Sequence, residues 1–482
     1  MQAIKYFILT IICFTFNSEI YALNKSSESP PNVNVITEIP TNGIVINTPG
    51  TYVFENNITW NPSGDGQAIL ISSDDVILDL QNYTLESEIT AFNTTGILAA
   101  SVKNLIIKNG TVANMALGGI HCEACAHILI KNMIIDGLNL ENTAVYTVPV
   151  GILVNTSSTI SIYKCTVKNI NVKTGSTAAI QLTETISSKV SNCHVTNLIN
   201  RDGACTGIGH LLCDIAEVKS CVLNKIQSEF IDNLNTEGHT AIGIIPVAST
   251  NLCIKNCTIS NITGCCDDAH GMSLFECLNA VVKKCKVNNV LDGSGAAQTG
   301  AKATGIEIYS SGVQVIKCSV KNITAINPQD KQATGFSSAQ CIGVKFIGCY
   351  AENVNVFDEN GGQSSCLGYG TGFGWAPDPR IEFILPAVDI LYKQCVAKRC
   401  QVGFDSWFHI DSRWEDIYSI CNGISVLDLN HSQRTLSCDP CSECGCLQTG
   451  CYPVPVRVTL DNVAENNTFV RVRAKYCKDK KN

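Results

Sequence analysis

At 482 residues, with 45% hydrophobic and only 16% charged side chains, the chain has ample apolar material for a core. Its formal charge of -8 gives no overall basic footprint for nucleic acid. Twenty-seven cysteines would be out of place in a reducing compartment unless they bound metal.

The chain opens "MQAIKYFILTIICFTFNSEIYALNKSS". Lys5, a short apolar run from Phe7 to Phe16 and a polar stretch ending at Ala22 have the layout of a secretory signal over residues 1–22. The run is too short to span a bilayer comfortably, and no later segment reads as membrane-spanning. The mature protein is therefore expected to be secreted or surface-exposed. Eleven Asn-x-Ser/Thr sequons agree with export without establishing a glycoprotein, since asparagine is common throughout.

Residues 23–95 are expected to hold an N-terminal cap and the first strands. From residue 96 to 425 the chain repeats. Segments such as "SKVSNCHVTNL", "LCIKNCTISNI", "AVVKKCKVNNV" and "VQVIKCSVKNI" align on one cysteine column: Cys165, Cys193, Cys221, Cys257, Cys285, Cys318, Cys349 and, more loosely, Cys395. The intervals are 28, 28, 36, 28, 33, 31 and 46, a base unit of 28 lengthened by insertions. Fourteen residues before most of these cysteines stands a small residue followed by an aliphatic or aromatic one, as at Gly151, Ala179, Gly207, Gly243, Gly271 and Gly335. The glycine-to-cysteine half is nearly constant in length, so every large insertion must emerge from one corner after the cysteine.

Each half-repeat carries short Val/Ile/Thr-rich runs that read as strands, and no 3.6-residue pattern persists. Short strands recurring at this period without crossover helices predict an all-β solenoid of stacked parallel strands, of about ten coils. The cysteines and the aliphatic residues three and five before and two after them should face inward. Whether the thiols pack as small hydrophobes or form disulfides between coils stays open. Four residues after the cysteine stands an asparagine (Asn114, Asn169, Asn197, Asn261, Asn289, Asn322, Asn353), suited to a left-handed corner and to hydrogen bonding along the stack. These side chains are expected to be buried, which would leave the sequons at Asn261 and Asn322 unused.

The stretch "PGTYVFENNITW…QAILISSDDVILDLQNYTL", Pro49 to Leu85, resembles the opening of secreted right-handed parallel β-helix proteins of the pectin-lyase-like superfamily. The resemblance implies a single right-handed parallel β-helix over roughly residues 33–425, with the hand that the crossover rule favours. It implies much less about activity, because this fold hosts lyases, hydrolases, epimerases, tailspikes and adhesins.

Three places could carry chemistry. The first is "CCDDAH" at the insertion corner, where Asp267, Asp268 and His270 sit beside a preceding insertion that supplies Asp232, Glu237 and His239. Carboxylates and imidazoles suit general acid–base work on a polysaccharide, with Asp267, Asp268, His270 and His239 as catalytic candidates. Uronate epimerases of the superfamily use an Asp-x-His pair, which Asp268 and His270 match, although Cys265 and Ala269 replace the flanking tyrosine and proline. The adjacent aspartates are similar to those of polygalacturonases, whose companion motifs are absent. A solvated corner capped by its own acids explains the same residues.

The second place is a lysine column beside the cysteines. Lys108, Lys131, Lys219, Lys255, Lys283 and Lys393 lie two residues before the ladder, and Lys164, Lys284 and Lys317 one residue before it. Stacked coils set these about 5 Å apart, so Lys219, Lys255, Lys283, Lys284 and Lys317 could bind an acidic glycan, or simply protect a soluble β surface. The third place, residues 370–419, holds Trp375, Trp407, Phe408 and Trp414 among Asp405, His409, Asp411 and Arg413. Trp407, Trp414 and Arg413 suit sugar stacking and hydrogen bonding, or a bulky lid on the solenoid. No phosphate loop, nucleophile elbow or HExxH helix is present, and the sequence names no cofactor and no metal site.

The tail, residues 426–482, is expected to be a cap. Its "CDPCSECGCLQTGC" suits a disulfide staple after export, or zinc in the cytosol. Two functions follow: a non-catalytic surface or particle component binding a polysaccharide or cell-surface glycan along its repetitive face, or a polysaccharide lyase, epimerase or hydrolase. Neither calls for a nucleic-acid partner or a retained membrane span, and either is compatible with oligomers.

Overall fold

The computed structural model describes residues 33–475 except 89–92, 141–147, 174, 202, 230–238, 266–267, 294–301, 327–331, 358–369, 375–386, 406–408, 423 and 428–466. Every strand pairing is parallel, each strand pairing with its counterpart one coil away. One turn of the coil runs through three strands. Ala241–Val247 lies on what we term the glycine face, Cys253–Lys255 on the lysine face, and Thr258–Cys265 on the face after the cysteine. The glycine face is a 14-stranded sheet, and the other two faces join in a 27-stranded sheet. The stack is longer than the expected ten coils because its opening turns, from Ile44–Ile46 onward, lack the cysteine that marks the repeat. The signal-like residues 1–22 and the Cys438–Cys451 cluster lie outside the described residues. Beyond that cluster, Thr468–Val470 and Arg473–Lys475 rejoin the stack as its last rung.

The interior is built from columns. Ile152, Ile180, Ile208, Ile244, Met272, Ile306, Phe336, Phe373 and Phe404 follow one another in register on the glycine face. Identical apolar neighbours one coil apart bury each other without changing the shape of the turn, so the sheet propagates. The eight ladder cysteines are buried thiols. Cys193, Cys221, Cys257 and Cys285 each direct Sγ to a carbonyl of the preceding coil at 3.6–3.8 Å. They therefore act as small apolar residues with a weak donor. A second ladder, unmarked in the sequence reading, runs eight residues earlier: the Ser249 hydroxyl accepts the Cys213 N–H at 3.1 Å, and Ser310 accepts that of Cys277 at 2.8 Å.

The asparagine column turns its corner in the left-handed region, with φ of 54–56° at all seven positions. Its amides form a chain: Asn289 donates to Asn261 at 2.9 Å, Asn322 to Asn289 at 2.9 Å and Asn353 to Asn322 at 2.9 Å. The expectation of burial fails. Asn261, Asn289 and Asn322 are exposed, because a left-handed corner aims the side chain along the rim of the rod and not into it. The sequons at Asn261 and Asn322 are thus on the surface, with their amides engaged in the ladder.

On the face after the cysteine, Glu352 gathers Lys321 and Lys398 at 3.0 Å each and Arg399 at 3.9 Å. Burial pushes its carboxyl up, but hydrogen bonds from both lysines and from Tyr350 outweigh burial and hold it down at about 2. A depressed carboxylate stabilises the fold above its unfolded value near 4.5, and that contribution disappears as pH falls through about 2. Glu352→Gln should therefore lower stability near neutral pH and converge with the parent at the acid end. Denaturation midpoints measured down the acid limb test this, and parallel curves for the two proteins would refute it.

Candidate functional site

The insertion corner opens onto two neighbouring strands of the glycine face, Ala269–Leu278 and Lys302–Ser311. Register pairs His270 with Thr304, Ser273 with Glu307 and Phe275 with Tyr309. Alternation from the inward Ile306 sends Glu307 outward, and His270 lies against it on the same side, yet they are only 2% and 4% exposed, with Lys302 at 4% and Asp268 at 9%. Four ionisable groups are thus withdrawn from water on the outer side of a sheet.

They lie in contact with one another, although His270 Nδ1 completes no hydrogen bond. His270 Nδ1 lies 3.3 Å from Glu307 Oε2, and Nε2 lies 3.5 Å from Asp268 Oδ2. Glu307 Oε1 takes the Lys302 ammonium at 2.7 Å, while its Oε2 accepts the Ser273 hydroxyl at 3.1 Å. The Lys302 N–H donates to Asp268 Oδ1 at 3.0 Å, and its ammonium donates to the Tyr309 hydroxyl at 3.0 Å. Burial works against the Lys302 charge, but Glu307, Tyr309 and Asp268 together outweigh it and hold the ammonium well above the usual lysine range.

Neighbouring coils fill the same columns with uncharged residues. Ile242, Thr304 and Thr334 stand in the His270 column, and Ser273, Ser337 and Gly374 in that of Glu307. The solenoid therefore folds without charges there, and a buried ionic cluster costs more than apolar packing would. Such a cluster is a functional-site candidate on physical grounds. The more buried Glu307 is placed to orient the ring, and the less deeply buried Asp268 makes the longer contact. The two carboxylates, imidazole and ammonium can move a proton and hold an anion.

Of the catalytic candidates, Asp268 and His270 come together, and Asp267 lies outside the described residues, as do Asp232 and Glu237. His239 is buried, two residues before Ala241, which pairs with Ala269. Lys302, Glu307, Ser273 and Tyr309 were missed. Glu307 had a signal: it directly follows the Gly305-Ile306 anchor, where other repeats carry uncharged residues such as Gln181, Gly209, Ile245 and Ser337.

Lys219, Lys255 and Lys283 are in register on successive coils of the lysine face. Lys284 and Lys317 occupy the adjoining corner with φ of 54° and 52°. The stripe is partly neutralised. Glu217 pairs with Lys255 and, at 3.1 Å, with Lys189, while Asp79 pairs with Lys108 at 3.0 Å and Glu415 with Lys393 at 2.9 Å.

The aromatic cluster needs correction. Trp414 is fully buried, stacked 3.9 Å from Tyr392 inside the solenoid, and cannot meet a sugar. It continues the inward column Val282, Val315, Phe346, Tyr392. Arg413 is exposed but pairs with Glu415, and Trp407 lies outside the described residues. His409 joins Ser338 at 3.0 Å and Tyr392 at 3.1 Å in an internal polar knot. Among the described residues no group of three or more His, Cys, Asp or Glu side chains is placed to hold a metal ion, and no helix is long and apolar enough to cross a membrane.

Residues 42–209 match the family model described as a right handed beta helix region. Similar solved structures include tailspike protein 3 of bacteriophage CBA120, at 8% identity over 91% of this chain and 55% of that one, with a TM-score of 0.40. The chain thus spans about half the length of that tailspike. The tailspike of E. coli bacteriophage HK620, solved with a pentasaccharide, is 11% identical over 88% of this chain and 74% of that one, with a TM-score of 0.45. A family 28 exopolygalacturonase of Yersinia enterocolitica is 9% identical over 77% and 73%, with a TM-score of 0.36. No curated protein matches the chain.

Proposed function

We propose that this chain, a right-handed parallel β-helix protein of pectin-lyase-like architecture, is an exported protein that processes a polysaccharide by acid–base chemistry on its glycine face. The observation that carries the reading is the buried cluster of His270, Asp268, Glu307 and Lys302, set between neighbouring coils whose equivalent positions are uncharged. His270 is the group that moves the proton. Glu307 holds it in place, Asp268 yields its place at Nε2 to the substrate, and Lys302 sets a buried positive charge against Glu307.

A polymeric sugar suits the surroundings. The outer surface repeats along the rod, so successive residues of a chain meet similar ground. Phe275, 43% exposed and 5.9 Å from the Tyr309 ring, offers an apolar face on the same two strands for a pyranose to lie on. The signal-like N-terminus supports export.

The test incubates the full chain with pectate, alginate and neutral glycans, following absorbance of 4,5-unsaturated ends and the release of reducing ends. We expect turnover of at least one substrate, a loss of about 100-fold or more in His270→Ala, and a comparable loss in Glu307→Gln. No turnover on any substrate, with glycan binding unchanged in His270→Ala, would return the chain to the class of non-catalytic binders.

A further inference from the structure

We propose that the corner carrying Lys283, Lys284, Lys286 and Lys317, with Lys219 beside it, is a second, non-catalytic site that anchors the rod to an acidic polysaccharide. It lies where the lysine face meets the face after the cysteine, and so away from the glycine face that carries the acid–base cluster.

The first observation is a contrast in pairing. Elsewhere on these two faces many lysines have a carboxylate one coil away: Lys108 with Asp79, Lys168 with Asp136, Lys189 with Glu217, Lys321 and Lys398 with Glu352, Lys393 with Glu415. Lys131, Lys225 and Lys345 have none among the described residues, but they are spread over different coils. At the corner unpaired lysines are concentrated. Lys219, Lys283, Lys284, Lys286 and Lys317 form no ion pair among the described residues, whereas Lys255, between Lys219 and Lys283, is matched by Glu217. The protein as a whole is acidic at -8, so this local excess of cations is not a reflection of composition.

The second observation is that like charges are stacked at a cost. Lys219, Lys255 and Lys283 stand directly opposite one another on three coils, an arrangement that opposes sheet formation. Lys284 and Lys317 follow each other in a corner column whose other members include Asn192, Asn256 and Gly348, residues that suit its left-handed backbone. Lysine there adds strain as well as repulsion. The repulsion lapses when a polyanion lies along the corner, since each coil of about 4.8 Å then sets one ammonium against the next charge of the chain.

The third observation concerns what the corner lacks. The strands that flank it, Cys253–Lys255, Thr258–Cys265, Val281–Lys283, Lys286–Gly293, Gln314–Ile316 and Ser319–Ile326, contain no arginine and no aromatic residue. Nucleic-acid strands are held largely by stacking on aromatic and guanidinium planes. Point charges interspersed with exposed asparagine and serine side chains suit a hydroxylated, repeatedly charged sugar chain instead.

The experiment uses the full chain on immobilised heparin and alginate, with a salt gradient, and compares Lys283→Gln/Lys284→Gln/Lys317→Gln with Lys168→Gln/Lys189→Gln/Lys321→Gln. We expect the corner variant to bind at least about tenfold more weakly, with a shallower dependence of affinity on salt, and the paired-lysine variant to stay near the parent. His270→Ala should bind the column as the parent does, which separates this site from the acid–base centre whatever becomes of the latter. Equal losses in both triple variants, absence of binding by the parent, or tighter binding of a single-stranded oligonucleotide than of either polysaccharide would each overturn the proposal.

Discussion

Lys302→Met is expected to destabilise the protein by about 3–5 kcal/mol, the cost of leaving a buried charge without its partner. Lys302 and Glu307 are both almost fully buried, and the ammonium at 2.7 Å is the shortest polar contact to Glu307. Methionine keeps the volume of the stem but removes the charge, so the carboxylate is left with the Ser273 hydroxyl and the unaligned His270 ring. Tyr309 also loses the donor to its hydroxyl. The corollary is sharper than the loss itself. Lys302→Met/Glu307→Gln removes both charges and should recover most of the stability, because neutral partners of similar shape need no counter-charge. A double-mutant cycle read by urea unfolding measures this coupling. A single-variant cost below about 1 kcal/mol, or a double variant as unstable as Lys302→Met, would mean that solvent reaches the pair and that the cluster is not withdrawn from water.

The same cluster marks the limit of what the sequence discloses. Columns were legible because the glycine-to-cysteine interval, 14 from Gly243 to Cys257 and from Gly271 to Cys285, is nearly constant, so one cysteine locates its whole coil. Glu307 escaped because its partner His270 is one coil plus an insertion away, and that insertion hides which residues become neighbours. Asp267 and Asp268 drew notice by adjacency in sequence, whereas the groups that meet in space are Asp268, His270, Lys302 and Glu307. Trp414 was misplaced for a different reason. It stands three residues before Ile417, which takes the place of the ladder cysteine, and that substitution conceals an inward position that Val282 and Val315 reveal in earlier coils. The asparagine corner shows a third kind of limit: sequence identifies a residue suited to a left-handed turn but not the direction of its side chain.

Gly271 joins the fold to the chemistry, and Gly271→Ala is expected to cost about 2–3 kcal/mol and to lower activity as well. A methyl at this position would lie 2.6 Å from the Gly305 carbonyl oxygen of the next coil, and closer still to Val287 Cγ1. One neighbour is backbone and cannot rotate away; the other is a fully buried β-branched side chain. The column is not closed to a methyl everywhere, since Ala179 occupies it opposite Gly151. Partial relief should therefore come from shrinking the side chain: Gly271→Ala/Val287→Ala should regain part of the stability, with the backbone contact still opposing it. The consequence for the site follows from position. Gly271 separates His270 from Met272, which is locked in register with Ile244 and Ile306. Relief of the clash must shift this strand against its neighbours, and the 3.3 Å approach of His270 to Glu307 would change with it. Thermal melts alongside the turnover assay separate the two effects. A variant that melts with the parent would show that the coils can part to admit the methyl. One that is destabilised but fully active would show that His270 does not depend on the glycine for its place.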